Sequence, residues 1–323
     1  PMYYIQNGLG SNWKWLSVIF AVSAVICSFL TGNAVQANTV ADTVFTTFNI
    51  PVAITGLITA SLVAIVIIGG IKRIGMVTAR LTPIMALLYV LGALIILLMN
   101  YDQILPSLAL IVTSAISPEA GAYGVGSGAI MTTLVWGIKR GLFSNEAGQG
   151  SAPIAHAAAK TPYPLREGLV ASLEPLIDTI IICTLTALVI ILTGAWETGI
   201  QGVGMTIFAF ESGFSKVGLP AIAHHIVAGG LLMFAFSTII SWCYYGTRGV
   251  QYLFGDRLIK PYYYVYALFV FFGSIWGIDI VWNFVDMVIT FMTIPNLIAL
   301  ILLLPEMQRE VKAYITLKRQ SNW

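Results

Sequence analysis

Eight apolar stretches, near 15–44, 50–70, 82–100, 124–138, 168–193, 219–245, 262–277 and 281–304, constrain this chain more than anything else in it. A helix needs about 20 mainly apolar residues to cross a bilayer, and most of these stretches reach that length. The composition agrees: 58% of the residues are hydrophobic and 9% charged, against roughly a quarter charged in a soluble domain. The alternating apolar–polar segments of about 10 residues that build membrane barrels are not seen, so the spans are α-helices, which satisfy their own backbone polar groups in lipid. The fold class expected is an all-α polytopic membrane protein.

The basic residues give the orientation, because cytoplasmic loops carry the excess of lysine and arginine. Lys14 precedes the first span. Lys72, Arg73 and Arg80 follow the second, Lys139, Arg140, Lys160 and Arg166 the fourth, Arg248, Arg257 and Lys260 the sixth, and Arg309, Lys312, Lys318 and Arg319 the last. Of the 16 basic residues only Lys216 falls on the other side. The expectation is a multi-pass protein of the inner (plasma) membrane with a cytoplasmic C-terminus. A net charge of +2, dispersed in this way, leaves no phosphate-binding face for nucleic acid.

Enzyme chemistry finds no foothold. Cys27, Cys183 and Cys243 lie within apolar spans without Cys-x-x-Cys spacing, as buried hydrophobes do. His156, His224 and His225 lack zinc spacing. No nucleophile–base pair stands out, and no cofactor is expected.

Three irregularities mark the chain as more than a bundle of straight helices. "LPSLALIVTSAIS" at 105–117 is too short to span, and "GIQGVGMTIFAFESGF" at 199–214 is broken by glycine and amphipathic; both suit re-entrant or lid segments. "YGVGSGAIMTTLVWGIKRG" in the fourth span is glycine-interrupted, a pattern that allows a helix to unwind and turn backbone groups toward a ligand. After it comes "GLFSNEAGQGSAPIAHAAAK" at 141–160, a tract of small and polar residues that is too apolar for a solvated connector.

The segments "PMYYIQNGLG", "GGIKRIGMVTARLTPIMALLYV", "WGIKRGLFSNEAGQGSAPIAHAAAKT", "EGLVASLEPLIDT" and "FAFSTIISWCYYG" resemble the alanine/glycine:cation symporter family over essentially the whole chain. The resemblance implies a LeuT-type inverted-repeat fold that imports a small neutral amino acid, alanine or glycine, with sodium, or occasionally a proton, as coupling ion. It also implies three further helices ahead of "PMYYI", so that residues 1–323 are core helices three to ten of one transporter domain: part of the first repeat over 1–100, the second over 101–304, and a cytoplasmic tail over 305–323. Without those upstream helices the chain is expected not to transport.

Site residues follow from the same resemblance. Thr132, Thr133, Trp136 and Gly137 match the family's unwound, substrate-facing stretch, with Trp136 walling a small pocket. Gln36, in the polar island "TGNAVQANTVAD", matches a substrate-facing glutamine, while Asn33 and Asn38 read as glue between helices. The hydroxyls of Ser237 and Thr238 with the carbonyl of Phe234 resemble half of a sodium site, although a hydroxyl bonded back to the preceding turn is the ordinary alternative. Acids in membrane segments are functional candidates: Glu174 and Asp178, four residues apart, pair with basic residues as an inner gate, and Glu146 and Arg140 belong to the same gate. A channel, or a carrier for another small zwitterion, remains the competing class.

Overall fold

The computed structural model describes the backbone of residues 1–116 and 128–320, and their side chains except at 115–116, 128–133, 278–283 and 319–320. The described residues form helices and turns, with no strand among them. A short helix, α1 (Met2–Leu9), leads into one continuous rod. It comprises a 3-10 turn, Ser11–Trp13, α2 (Lys14–Phe29), a π-helical turn, Leu30–Ala34, and α3 (Val35–Phe48). The π turn falls on the polar island, and such turns often mark functional sites.

Then follow α4 (Val52–Ile67), α5 (Gly70–Met99), α6 (Tyr101–Ile116) and α7 (Gly128–Asn145). The glycine-rich tract ends in α8 (Ala152–His156), and α9 (Pro164–Ala171) begins the next span. That span passes through a turn, Leu173–Pro175, into a π-helix, Leu176–Cys183, and finishes as α10 (Thr184–Leu192). Pro175 lacks an N–H, and it stands where the α pitch gives way to the wider one. The remaining helices are α11 (Val203–Ser215), α12 (Pro220–Phe254), α13 (Ile259–Ile275), α14 (Ile278–Leu302) and α15 (Leu304–Gln320).

Among the described residues six helical segments are long and apolar enough to cross a membrane: Ser11–Phe48, Gly70–Met99, Pro164–Leu192, Pro220–Phe254, Asp256–Ile275 and Phe284–Leu302. The other two expected spans differ from the sequence reading. The second is α4, apolar but 16 residues long. The fourth runs past its expected end to Asn145, which puts Lys139 and Arg140 inside a helix rather than in a loop. The stretch at 105–117 lies, as far as it is described, in α6, a 16-residue helix with Pro106 inside it.

The outer surface, more than the core, departs from the pattern of a soluble protein. In α4 the small residues Thr55, Gly56 and Thr59 are buried, while Leu57, Ile58, Leu62 and Ile65 point outward. Lipid is as apolar as leucine, so close packing of small residues associates the helices rather than burial of large ones. The centre of the fold is α12, which packs on α2, α3, α5 and α11, while α13 packs on α3 and α4. Trp242, Tyr266 and Phe20 are the largest fully buried side chains.

Candidate functional site

The tract after α7 is a packed plug. Glu146 takes a left-handed backbone (φ 52°), as do Gly148 and Gly150, which folds the chain back on itself. At Gly150 a Cβ would stand 2.6 Å from the Phe20 ring, so only glycine fits both the conformation and the space. Gln149 and Ser151 are buried. The amide of Gln149 donates to the carbonyl of Leu142 at 2.7 Å. Asn296, itself buried, donates to the carbonyl of Gly148 at 2.8 Å and accepts from the Tyr4 hydroxyl. These bonds fix the tract between α1, α2 and α14.

Inside it the Glu146 carboxylate accepts the indole N–H of Trp242 at 3.1 Å. Burial pushes this carboxyl up to about 7, and the nearby charges of Glu174 and Asp178 push the same way while the indole works against them. Trp242 is held rigidly in turn, because a Cβ on Gly32 of the π turn would overlap its side chain at 2.1 Å. The partner of Glu146 is therefore an indole, and not the lysine or arginine expected.

Around Glu146 lies a polar cluster that the sequence showed only in part. Asp178 accepts from Ser144 and, at 3.2 Å, from Thr179, and Asn145 donates to Thr179 at 3.1 Å. Nδ1 of His156 is 2.6 Å from Glu167, and its Nε2 is 3.9 Å from Glu174. The partners of Glu174 and Asp178 are thus a histidine and hydroxyls rather than loop arginines. The basic pair does find an acid, but on another helix: Arg140 meets Asp286 at 2.7 Å and Lys139 meets it at 3.3 Å. A charge on α7 that faces α14 gains more from a carboxylate there than from one in the crowded plug.

The substrate calls fall as follows. The side chains of Thr132 and Thr133 lie outside the described residues. Trp136 and Gly137 sit in a continuous helix and not in an unwound stretch, since glycine within a helix still donates its backbone bond. The Trp136 ring is 55% exposed and lies beneath Lys139 and Arg140, at 5.5 and 5.4 Å. Gln36 is partly exposed and reaches the carbonyl of Thr31 at 3.4 Å. Asn33 and Asn38 donate to the backbone of Tyr266 and Trp276, at 2.8 and 3.0 Å, and so join α3 and the π turn to the α13 segment.

The ion calls come together on one turn. Ser237 and Thr238 both donate to the carbonyl of Phe234, at 2.8 and 3.0 Å. This is the back-bonded arrangement that was the ordinary alternative to a sodium site: the Phe234 carbonyl accepts both hydroxyls, while the lone pairs of the hydroxyls themselves stay available to a hard cation. Trp242 follows Thr238 by four residues, one turn along the same face of α12. Sequence reasoning missed it, though that spacing was the available signal. A groove of about 1130 Å³ opens between α1, α9, α12 and α15, and none of the predicted substrate or ion residues lines it.

This architecture, with long lipid-facing helices, irregular turns inside two spans and polar groups gathered where they meet, defines a polytopic membrane protein with a functional interior. The sodium:alanine symporter family model matches residues 1–322. A transporter of Haemophilus influenzae is 42% identical over 316 residues, covering 97% of this chain and 68% of its own length. The sodium/alanine symporter AgcS of Methanococcus maripaludis is 40% identical over 326 residues, covering 99% of this chain and 70% of its own. A probable sodium/glutamine symporter, GlnT, of Bacillus subtilis is 34% identical over 321 residues, covering 99% and 65%. The chain belongs to the sodium:alanine symporter family, a family of transporters and not of enzymes.

Proposed function

We propose that this chain carries out, as part of a carrier with a LeuT-type inverted repeat, sodium-driven import of a small neutral amino acid, alanine or glycine, by alternating access. The observation that carries the reading is the 40% identity to a sodium/alanine symporter across 99% of the chain. The proposed ion side is Phe234, Ser237 and Thr238, whose hydroxyls donate to the Phe234 carbonyl and keep their own lone pairs one turn from Trp242. Sodium is a hard cation that prefers such neutral oxygen donors. Gln36, Thr132, Thr133, Trp136 and Gly137 are the proposed substrate side of the site.

The plug of residues 146–151 is the inward gate in this reading. It is packed rather than solvated, and its one acid is bonded to the helix that carries the ion residues. Glu174 and Asp178 border it, and Arg140 on α7, six residues before Glu146, is the proposed basic member of the gate. Binding at Phe234–Thr238 that shifts α12 changes the Trp242–Glu146 contact directly, which supplies the differential contact that a coupled carrier needs.

The test is uptake into vesicles that hold the full-length protein. A sodium gradient should drive saturable alanine uptake, with glycine competing. Uptake without sodium dependence, or large uncoupled currents, overturns the carrier reading in favour of a channel. Glutamine competing more strongly than alanine replaces the proposed substrate.

A further inference from the structure

At the end of the bundle that holds Thr47, Glu211 and Lys216, one imidazole joins three helices. Nδ1 of His224 on α12 is 2.6 Å from Glu211 on α11, and its Nε2 is 3.1 Å from the Thr47 hydroxyl on α3. An ionised carboxylate only accepts, so Nδ1 carries the proton, and Nε2 is left to pair with the hydroxyl. His225, next along α12, turns away to the carbonyl of Ala221 and packs on Phe48.

The two sides of α11 are held by different forces. Its apolar face is core: Phe210 and Ala209 are fully buried, and they cluster with Ala93 and Ile96 of α5 and with Ala223 and Val227 of α12. Its far end is tied to α5 through Lys216 and Asn100. Toward the tip of α3 the connection is the chain Glu211–His224–Thr47, which is partly open to water, with the His224 side chain 19% and the Glu211 side chain 37% exposed. Solvent can replace such bonds at little cost, whereas core packing cannot be exchanged that way.

We propose that Glu211, His224 and Thr47 form a releasable latch that fastens α11, the lid foreseen at 199–214, over the tip of α3 at the mouth opposite the plug. The latch rests on the transport reading for its role, since a lid needs a pathway beneath it. With the chain intact the mouth is shut; with the Glu211–His224 bond broken α11 pivots on its packed face, and the Thr47 hydroxyl serves to hold the imidazole in position.

Hydrogen exchange over residues 203–215 in the full-length protein in lipid nanodiscs tests it. Glu211→Gln and His224→Asn should each speed exchange there roughly two- to tenfold, the range expected for weakening an ordinary, partly solvent-exposed hydrogen bond, with α2 unchanged. The exchanged pair, Glu211→His with His224→Glu, rebuilds the bond and should restore protection, which mere loss of packing would not allow. If His224→Asn fails to assemble, Glu211→Gln and the exchanged pair still decide it, and Thr47→Val, which only loosens the imidazole and keeps the Glu211–His224 bond, should speed the same segment less than Glu211→Gln does. Parental exchange in the single variants, or no rescue by the exchanged pair, overturns the latch. Sodium-driven uptake measured on the parent alone decides the transport reading separately.

Discussion

The Trp242 indole donates to Glu146 across 3.1 Å, joining the central helix α12 to a loop 96 residues earlier in the chain. The contact ties α12, one turn beyond the proposed ion residues, to the packed tract 146–151.

Trp242→Phe keeps the ring and deletes the donor. With the Glu146 carboxyl holding a proton in the packed state up to about pH 7, the bond contributes about 0.5–1.5 kcal/mol, so residues 146–151 should exchange amide hydrogens roughly two- to tenfold faster, with the helices unchanged. Exchange at the parental rate assigns the closure of the plug to packing alone.

The plug should loosen as pH rises. Its carboxyl stands at about 7 against an ordinary 4.5, so the packed state binds a proton that the open state releases. A group raised in this way leaves the packed state at full strength below 4.5 and weakens it progressively up to about 7. Protection of residues 146–151, the exchange rate taken relative to the intrinsic rate at each pH, should fall between pH 5 and 8, and Glu146→Gln, which stays neutral, should flatten that fall. An identical pH profile in that variant removes Glu146 as the titrating group.

Thr238→Ala removes one oxygen from the group at Phe234 without adding bulk. Loss of about 1 kcal/mol corresponds to a roughly fivefold weaker half-saturation for sodium, with uptake at saturating sodium largely retained. Sodium titration of alanine uptake is the measurement; an unmoved half-saturation places the ion elsewhere.

Gly32→Ala forces a methyl into the Trp242 side chain, where only 2.1 Å is free. Overpacking of a tight core costs about 1–3 kcal/mol, and here the collision is with an immobile ring. Thermal unfolding should shift down by several degrees, whereas Gly137→Ala, which meets no atom within 4 Å, should leave the transition in place.

Asp286→Asn strands Lys139 and Arg140 against α14. Their pairing is partly buried, so the loss should fall between the roughly 0–1 kcal/mol of an exposed pair and the 3–5 kcal/mol of a buried one. Restoring a carboxylate as Asp286→Glu should recover part of the stability, and a denaturation midpoint equal in all three proteins rules out a structural role for the pair.

Class and order of elements were legible in the sequence because the bilayer imposes them one segment at a time. Runs such as 168–193 and 219–245 have to be helices wherever they sit, and the tract at 141–160 announced by its small residues that it is packed. Asn33 and Asn38 read correctly as links between helices, because an amide in an apolar stretch must find a partner. What stayed hidden were the partners themselves. Asp286 is 146 residues from Arg140 and Trp242 is 96 from Glu146. The pull of opposite charges gave Glu146 a lysine or arginine on paper, while the fold gave it an indole.

The sequence by itself therefore determined that this chain lies in a membrane as helices, since hydropathy is a property of short segments, and its resemblance to a known family placed it among transporters. Only the tertiary structure decided which acid meets which base, that Trp136 lies under Lys139 and Arg140 in an unbroken helix, and that Gly32 exists to admit Trp242. Those outcomes depend on how helices rotate and slide against one another. Close contacts of small residues set that packing, and no single segment of the chain encodes it.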